Sequence, residues 1–347
     1  MPSAGSPTSD PRSTASSVAA AAPARLVADI GGTNGRFAIV RDGTIGHRRE
    51  YRNATFPDLA SLLARYFADS AIDPDSIEAA CLAVAAPITV DGEAKFTNAP
   101  WQVSARGLEQ TLKLSHVSLI NDFAAQAYGI DKLGDDDVES LVTTSNERVT
   151  ASPRVVLGPG TGLGCAALVP SNAEGVPSVA VTSEGGHMSF AATSALDRKV
   201  FDVAHAKYGR TSWERVCCGA GLALIHTALW PDDDLAGVAD DDPSAVVVQA
   251  LADPSSHGAA TVRQFSGMLG AFAGDLALVF RATGGVYLTG GVLGHLGESF
   301  DRAAFLERFV DKGRYRTWLQ ELPVHLIVAD DVPLRGCALH LEQLLRR

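Results

Sequence analysis

The chain has 347 residues, 46% of them hydrophobic and 20% charged, which is enough for about two domains with buried cores. Its formal net charge of −11 argues against nucleic-acid binding, and no apolar run reaches the roughly 18 residues of a membrane span. Five scattered cysteines do not make a disulfide scaffold in a chain of this length, so we expect a reducing, cytoplasmic location.

Residues 1–24 consist almost entirely of Ser, Ala, Pro, Thr and Gly. Such a segment buries too little apolar surface to offset the entropy of ordering, so we expect a disordered tail. The apolar stretch 18–22 is too weak for a secretory signal, and Arg12 is the one basic residue of the tail, which disfavours a transit peptide.

The chain after the tail opens with two apolar runs, 26–30 and 37–40, on either side of Gly31-Gly32-Thr33-Asn34-Gly35. This pattern predicts a β-hairpin. Apolar side chains at helical spacing predict an amphipathic helix over 57–68. The same reasoning then predicts strands over 79–86 and 117–120, with Asn121-Asp122 leading into a short helix over 123–128.

The second half repeats the opening pattern. Apolar residues 155–157 lead to the turn Gly158-Pro159-Gly160-Thr161-Gly162-Leu163-Gly164, and a second apolar run follows over 165–169. Residues 263–280 predict a long amphipathic helix, in which Gly267, Gly270 and Gly274 allow another backbone to approach closely. A strand over 286–289 ends at Gly290-Gly291, and a final helix is predicted over 330–345.

The two glycine turns that open the two halves share a chemistry suited to phosphate. Glycine leaves backbone N–H groups open to an anion, and Thr33 and Thr161 add hydroxyl donors. Asp29, at the end of the first strand, can hold a hydrated Mg²⁺ beside the phosphates. One such turn alone would be an ordinary hairpin turn. Two matched turns favour phosphate binding, and neither fits a Walker A loop or a dinucleotide motif before a helix.

Two further motifs carry polar side chains of catalytic or binding type. Asp122 follows a strand and begins a helix, so it is either a helix N-cap or a general base. Glu184-Gly185-Gly186-His187 can direct a carboxylate and an imidazole into one pocket, which suits a polyhydroxylated ligand. A metal site joining His187 to Cys217-Cys218 is disfavoured, because adjacent cysteines are a poor chelate.

These motifs together resemble the bacterial glucokinase family from Arg25 onward. They occur in the family's order, as LVADIGGTNGRFAIV, AVAAPI, FTNAPW, LINDFAAQA, GPGTGLGCA, SEGGH and LTGGV. The resemblance implies an α/β, two-domain hexokinase/actin-like (ribonuclease H-like) fold with an interdomain cleft. It implies a small domain over 25–132, completed by the C-terminal helix 330–347, and a large domain over 133–329.

The resemblance also implies an activity, its cofactors and its site residues. A protein of this family transfers the γ-phosphate of ATP, with Mg²⁺, to the 6-hydroxyl of glucose as the first step of glycolysis, usually as a homodimer. Asp122 would be the general base, and the sugar contacts would be Asn98, Asn121, Asp122, Glu184, His187 and Glu214. The groups at the phosphates would be Asp29 (Mg²⁺, through water), Gly31, Gly32, Thr33, Asn34, Gly160, Thr161 and Gly162, with Gly290 and Gly291 beside the adenosine.

The chain departs from the family pattern at three places that remove no proposed catalytic group: Gly35, Thr182-Ser183 and Cys218-Gly219-Ala220-Gly221. It lacks the zinc-binding cysteine cluster of the related repressor and kinase (ROK) family. Other sugars, such as mannose or an N-acetylhexosamine, remain open as substrates. A non-catalytic sugar sensor and an actin-like filament protein are the alternatives from other classes. Asp122 argues against the sensor, and the Asn-Asp and Glu-Gly-Gly-His motifs argue against the filament protein.

Overall fold

The computed structural model describes residues 23–96, 101–142, 151–171, 173, 175–235 and 243–346. They form two main β-sheets, each covered by helices and each containing one of the glycine-rich hairpins. The fold is the mixed α/β fold that the sequence predicts. Within the described ranges, no helix has the length and apolar character needed to cross a bilayer.

The first sheet has the strand order β3-β2-β1-β4-β7, and β5 and β6 form a separate two-stranded ribbon. The strands of this region are β1 (Ala24–Ile30), β2 (Asn34–Arg41), β3 (Thr44–Arg52), β4 (Ile77–Val84), β5 (Glu93–Lys95), β6 (Gln102–Ser104) and β7 (His116–Asn121). The antiparallel pair β1–β2 confirms the predicted hairpin. Ala24, which we assigned to the tail, instead is buried as the first residue of β1, because it extends the ladder with β4.

Three helices accompany the first sheet: α1 (Leu59–Ser70), α2 (Ala105–Leu112) and α3 (Asp122–Gly129). The Asp58 side chain caps α1 by accepting the N–H of Ser61 at 2.7 Å. The apolar stripe of α1, which includes Leu62 and Tyr66, is buried in the core. Hydrophobic spacing therefore predicted this helix correctly, and the cap sets where it begins.

The second sheet has the order β11-β10-β9-β12-β13-β8. Its strands are β8 (Val138–Val142), β9 (Arg154–Pro159), β10 (Leu163–Val169), β11 (Val179–Ser183), β12 (Val286–Leu288) and β13 (Val324–Ile327). β9 pairs antiparallel with β10 and parallel with β12. This arrangement repeats the first sheet, in which β1 pairs antiparallel with β2 and parallel with β4.

The helices after β11 are α4 (Ala195–Tyr208), α5 (Trp213–Val216), α6 (Gly219–Leu229), α7 (Ser244–Ala252), α8 (His257–Phe280), α9 (Gly291–Leu296), α10 (Arg302–Phe309), α11 (Arg316–Gln320) and α12 (Val332–Leu345). The long helix α8 begins six residues before the predicted start, because Ser256 caps it by accepting the N–H of Ala259 at 3.1 Å. A Cβ atom at Gly270 or Gly274 would overlap a backbone carbonyl of α10. The predicted close approach at these glycines is therefore confirmed.

The last helix, α12, packs on the first sheet rather than the second. Its buried side chains, which include Leu334 and Cys337, join a cluster with Val27 and Cys81 of β1 and β4. A Cβ atom at Gly336 would overlap the carbonyl oxygen of Ala125 in α3, so the two helices are in backbone contact. This placement agrees with a first unit completed by the C-terminal helix, while the limits of the two domains stay a prediction.

All five cysteines are buried free thiols in the structure.

Candidate active site

The first glycine turn, residues 31–34, is closed by a hydrogen bond from the N–H of Gly31 to the carbonyl oxygen of Asn34 at 3.0 Å. The side chain of Asn53 donates to the Gly31 carbonyl at 2.8 Å, and its backbone N–H donates to the Thr33 carbonyl at 2.9 Å. Among the described residues, nothing accepts a hydrogen bond from the N–H groups of Gly32 and Thr33. These two donors are therefore available to an anion.

Asp29 lies just before this turn, near the end of β1, with its side chain 13% exposed. Burial raises the pKa of Asp29, and the Arg36 guanidinium, whose Nη1 lies 3.5 Å from Oδ2, opposes that rise. An added cation would stabilise such a poorly solvated carboxylate in its charged form.

Asp29 fits one ligand of a hydrated Mg²⁺, an ion that commonly takes one or two carboxylates together with phosphate oxygens. In the part of the chain that the structure describes, no group of three or more His, Cys, Asp or Glu side chains is arranged to hold a metal ion. A Mg²⁺ at Asp29 would therefore depend on phosphate oxygens for further ligands.

Asp122 lies at the same edge of the first sheet as Asp29. β1 and β7 both run parallel to β4, and Ile30 and Asn121 are both paired with Val84. Asp29 lies on β1 and Asp122 directly follows β7, which is two strand positions away, a separation of roughly 10 Å between the strand axes.

Asn121, not Asp122, is the N-cap of α3. Its Oδ1 accepts the N–H groups of Phe123 at 3.0 Å and Ala124 at 3.3 Å. The interpretation of Asp122 as a helix N-cap is therefore wrong, since the residue before it fills that position. Asp122 is the first residue of the helix, and its Oδ1 accepts the N–H of Phe123 at 3.0 Å.

The pKa of Asp122 is raised to about 6. Burial is the largest cause, and the negative charges of Asp29 and Glu184 add to it, against the lowering effect of backbone hydrogen bonds. A carboxylate with a pKa closer to neutrality is a better acceptor for a hydroxyl proton, because general-base catalysis is most effective near the operating pH.

The second glycine turn joins the end of β9 to the start of β10 in the second sheet. The N–H of Gly160 donates to the carbonyl of Gly162 at 2.7 Å, and Gly219, the first residue of α6, donates to the carbonyl of Gly160 at 2.9 Å. Gly290 has a φ of +106°, and a Cβ atom there would lie 2.5 Å from the Pro159 carbonyl oxygen. The turns at 158–162, 218–221 and 289–291 are therefore in backbone contact.

Phe123 of α3 contacts the second sheet. A Cβ atom at Gly164 in β10 would overlap the Phe123 ring, so the ring lies directly on the backbone of β10. α3 also contacts β9 and β11. Phe123, the residue that follows Asp122, therefore packs against the strand that follows the second turn.

His187 lies between two carboxylates. Its Nε2 is 3.9 Å from a Glu184 oxygen, and its Nδ1 is 3.8 Å from Oε1 of Glu214. Glu184 and His187 are largely exposed, whereas the Glu214 side chain is 26% exposed. Two acceptors and an imidazole that faces solvent can bind several hydroxyl groups of one ligand.

The segments that carry these groups are joined by backbone hydrogen bonds. Trp213 donates to the Met188 carbonyl at 3.0 Å, and Phe190 donates to the Thr211 carbonyl at 3.1 Å. Arg210 donates from Nη2 to the carbonyl oxygen of His187 at 2.9 Å. The Glu-Gly-Gly-His motif and Glu214 therefore form one structural unit.

The structure places most of the sequence-predicted site residues in two glycine turns, a buried carboxylate and the group formed by Glu184, His187 and Glu214. Asn98 lies outside the described residues. Sequence reasoning missed Asn53 and Arg210, which support the first turn and His187. Neither belongs to a recognisable motif, because each acts on a segment distant in sequence.

A family model described as Glucokinase matches residues 26–344. A glucokinase of Tolumonas auensis is 36% identical over 324 residues, which cover 92% of this chain and 97% of that protein. The chain spans about half the length of other curated relatives, which are named bifunctional proteins and are 35–37% identical to it.

A solved glucokinase from an Antarctic psychrotroph is 33% identical, with a TM-score of 0.78. The superposition covers 92% of this chain and 99% of that glucokinase. A ROK family glucokinase from Streptomyces griseus, solved in complex with glucose and AMPPNP, shares the fold at 18% identity with a TM-score of 0.59. The superposition covers 91% of this chain and 98% of the Streptomyces griseus protein.

Proposed function

The chain belongs to the glucokinase family, and on that basis we propose that it transfers the γ-phosphoryl group of ATP to the 6-hydroxyl of glucose. The products are glucose 6-phosphate and ADP. The observation that carries this proposal is the buried carboxylate of Asp122, whose pKa is raised to about 6 where the two sheets meet. As part of the same proposal, the protein catalyses the first step of glycolysis in the cytoplasm as a homodimer.

Asp122 is the general base of the proposed reaction. Its carboxylate takes the proton of the 6-hydroxyl while that oxygen forms a bond to the γ-phosphorus, and the bond from phosphorus to the β,γ-bridging oxygen breaks as ADP leaves. Positioned proton transfer of this kind typically contributes about 10²–10⁴-fold to the rate. The rest of the catalysis depends on alignment and on neutralising the charge of the phosphates.

The two glycine turns hold the phosphates from opposite sides. The donors in this proposal are the open N–H groups of Gly32 and Thr33, the Asn34 amide, which also donates to Glu50 at 2.8 Å, and the turn Gly160-Thr161-Gly162. In that turn the Thr161 and Gly162 backbones face the phosphates, since the N–H of Gly160 already donates to the Gly162 carbonyl, and Gly290-Gly291 lies beside the adenosine. Bound Mg²⁺, held through water by Asp29, supplies positive charge that offsets the charge of the phosphate oxygens. The raised pKa of Asp29 supports this role, because the carboxylate lacks full compensation from Arg36.

In this proposal the sugar lies over a hydroxyl-binding array, which consists of Glu184, His187 and Glu214. Glu184, His187 and Glu214 bind its hydroxyl groups, with Asn98 as a further contact. The Nδ2 of Asn121 donates a hydrogen bond to the sugar, since its Oδ1 already caps α3. Sites that bind hydroxyl groups with buried or pre-placed partners discriminate strongly against analogues that lack them.

The test is ADP production from Mg-ATP by the purified chain with glucose, mannose, fructose or N-acetylglucosamine, and with sugar omitted as the control. We expect the highest turnover with glucose. Highest turnover on another sugar would keep the phosphoryl transfer and replace the substrate. Binding of sugar by calorimetry without turnover on any of the four would overturn the enzyme in favour of a sugar sensor.

A further inference from the structure

The two carboxylate oxygens of Glu214 face different parts of the site. Oε1 lies 3.8 Å from Nδ1 of His187, in the array proposed to bind sugar. Oε2 accepts the backbone N–H of Leu163 at 3.0 Å. Leu163 directly follows the second glycine turn, so one carboxylate contacts both the sugar array and the turn proposed to hold phosphate.

Gly162 leaves the space that this carboxylate occupies. A Cβ atom at Gly162 would lie 2.5 Å from Oε2 of Glu214 and 3.3 Å from its Cδ. At Gly160 in the same turn, a Cβ atom would have no neighbour within 4 Å in the described part of the chain. Neither glycine has a left-handed φ. A Cβ atom at position 162 would therefore displace the end of the Glu214 side chain, and it would not strain the backbone.

We propose that Gly162 is a positioning residue for the sugar, because the second glycine turn places the Glu214 carboxylate. This inference rests on the proposed function and deepens it. The turn fixes Glu214 through the Leu163 N–H and through the absence of a side chain at Gly162. A phosphate that shifts the turn shifts the carboxylate as well, so nucleotide and sugar affinity are coupled through Glu214, and the coupling is reciprocal.

The first test compares Gly162→Ala with Gly160→Ala by calorimetric titration with glucose, in the absence of nucleotide. We expect Gly162→Ala to raise the glucose Kd by about tenfold or more, the size expected when a hydrogen bond to a charged group is lost. Gly160→Ala leaves the glucose Kd within about twofold of the parent value, because its added methyl group meets nothing. Equal glucose Kd values for the parent and both variants would overturn the inference.

The second test places Gly162→Ala in a Glu214→Ala background. If Gly162 acts through Glu214, the added methyl group has no further effect once that side chain is removed, so the two changes are not additive. An equal further loss of glucose affinity in the Glu214→Ala background would show that Gly162 acts by another route and would overturn the inference.

A reciprocal measurement covers the case in which Gly162→Ala does not fold, as judged by thermal unfolding. Glu214→Ala frees the Leu163 N–H and removes a negative charge beside the turn, so the Kd for Mg-AMPPNP without glucose changes several-fold. Glu307→Ala, at an exposed position of α10, is the control for removing a glutamate side chain and should leave the AMPPNP Kd unchanged. An unchanged Kd for AMPPNP in Glu214→Ala would contradict the coupling.

Glucose binding by the parent chain distinguishes a failure of the proposed function from a failure of the role of Gly162. If it binds no glucose, the proposed function fails. If it binds glucose and Gly162→Ala binds equally well, the proposed function stands and this inference alone fails.

Discussion

The two glycine turns have similar sequences and different surroundings. The first follows the buried carboxylate of Asp29 and is held from behind by the Asn53 side chain. The second follows Gly158-Pro159 and is held by the backbone of Gly219 and by the Glu214 carboxylate on the Leu163 N–H. A similar pattern of Gly and Thr therefore serves two purposes. The first turn adds fixed charge to the candidate site, and the second connects the backbone of the proposed phosphate site to the side chains of the proposed sugar site.

The largest expected effect concerns Asp122, the proposed base at the start of α3. Asp122→Asn should lower kcat by about 10²–10⁴-fold with little change in the glucose Kd, because the amide cannot accept the hydroxyl proton. Steady-state kinetics and calorimetry measure the two quantities. Asp136→Asn, at an exposed position, is the control and should retain full activity. A kcat within a few-fold of the parent value would remove Asp122 from the role of base.

The pH profile tests which turn supplies the charge. Asp122 must be deprotonated to act, so kcat/KM should fall about tenfold per pH unit below a pKa of about 6. The charge of Asp29 contributes to that raised pKa, so Asp29→Asn should move the inflection to lower pH, whatever its effect on the maximal rate. Gly160→Ala should leave the inflection in place. A shift in Gly160→Ala but not in Asp29→Asn would reverse the assignment of charge.

The two turns differ in how closely neighbouring backbone atoms pack against their glycines. Gly290→Ala should lower the free energy of unfolding by about 1–3 kcal/mol, because φ is +106° and the new methyl group would meet the Pro159 carbonyl behind the second turn. Gly31→Ala in the first turn should have little effect, since a Cβ atom there lies 3.5 Å from its nearest neighbour. Denaturant unfolding of both variants measures the difference. Equal losses would mean that the second turn is not the more tightly packed.

The smallest expected effect concerns the side chain that supports the first turn. Asn53→Ala should lower the free energy of unfolding by about 1 kcal/mol, the usual loss for one hydrogen bond, and raise the KM for ATP several-fold. The glucose Kd without nucleotide should not change, in contrast to the effect expected for Gly162→Ala. Denaturant unfolding and steady-state kinetics provide the measurements. An unchanged KM for ATP would show that Asn53 does not support phosphate binding.

Features set by short stretches of sequence could be predicted. The hairpin at each glycine turn and the helix over 59–70 depend on local apolar spacing, which can be recognised in the sequence alone. The start of α8 was also legible from Ser256, although the prediction placed it later. The edge strand β8 was not predicted, because its sequence VESLV is short and only half-buried.

Contacts between distant segments could not be predicted. Asn53 and Gly31 are 22 residues apart, and Glu214 and Leu163 are 51 residues apart. Their hydrogen bonds depend on how strands and loops are assembled, and no spacing in the sequence encodes that assembly. The family resemblance supplied the proposed site residues, whereas the different surroundings of the two turns could be seen only in the structure.

The position of α12 also has a consequence for how the protein is made. The face of the first sheet that contains Val27 and Cys81 is covered by a helix encoded about 200 residues after β7. During synthesis, α12 can cover this face only after every strand of the second sheet has been translated. Long-range contacts of this kind slow folding and leave apolar surface exposed to aggregation in the meantime. The half of the molecule that is translated first is therefore the half that is completed last.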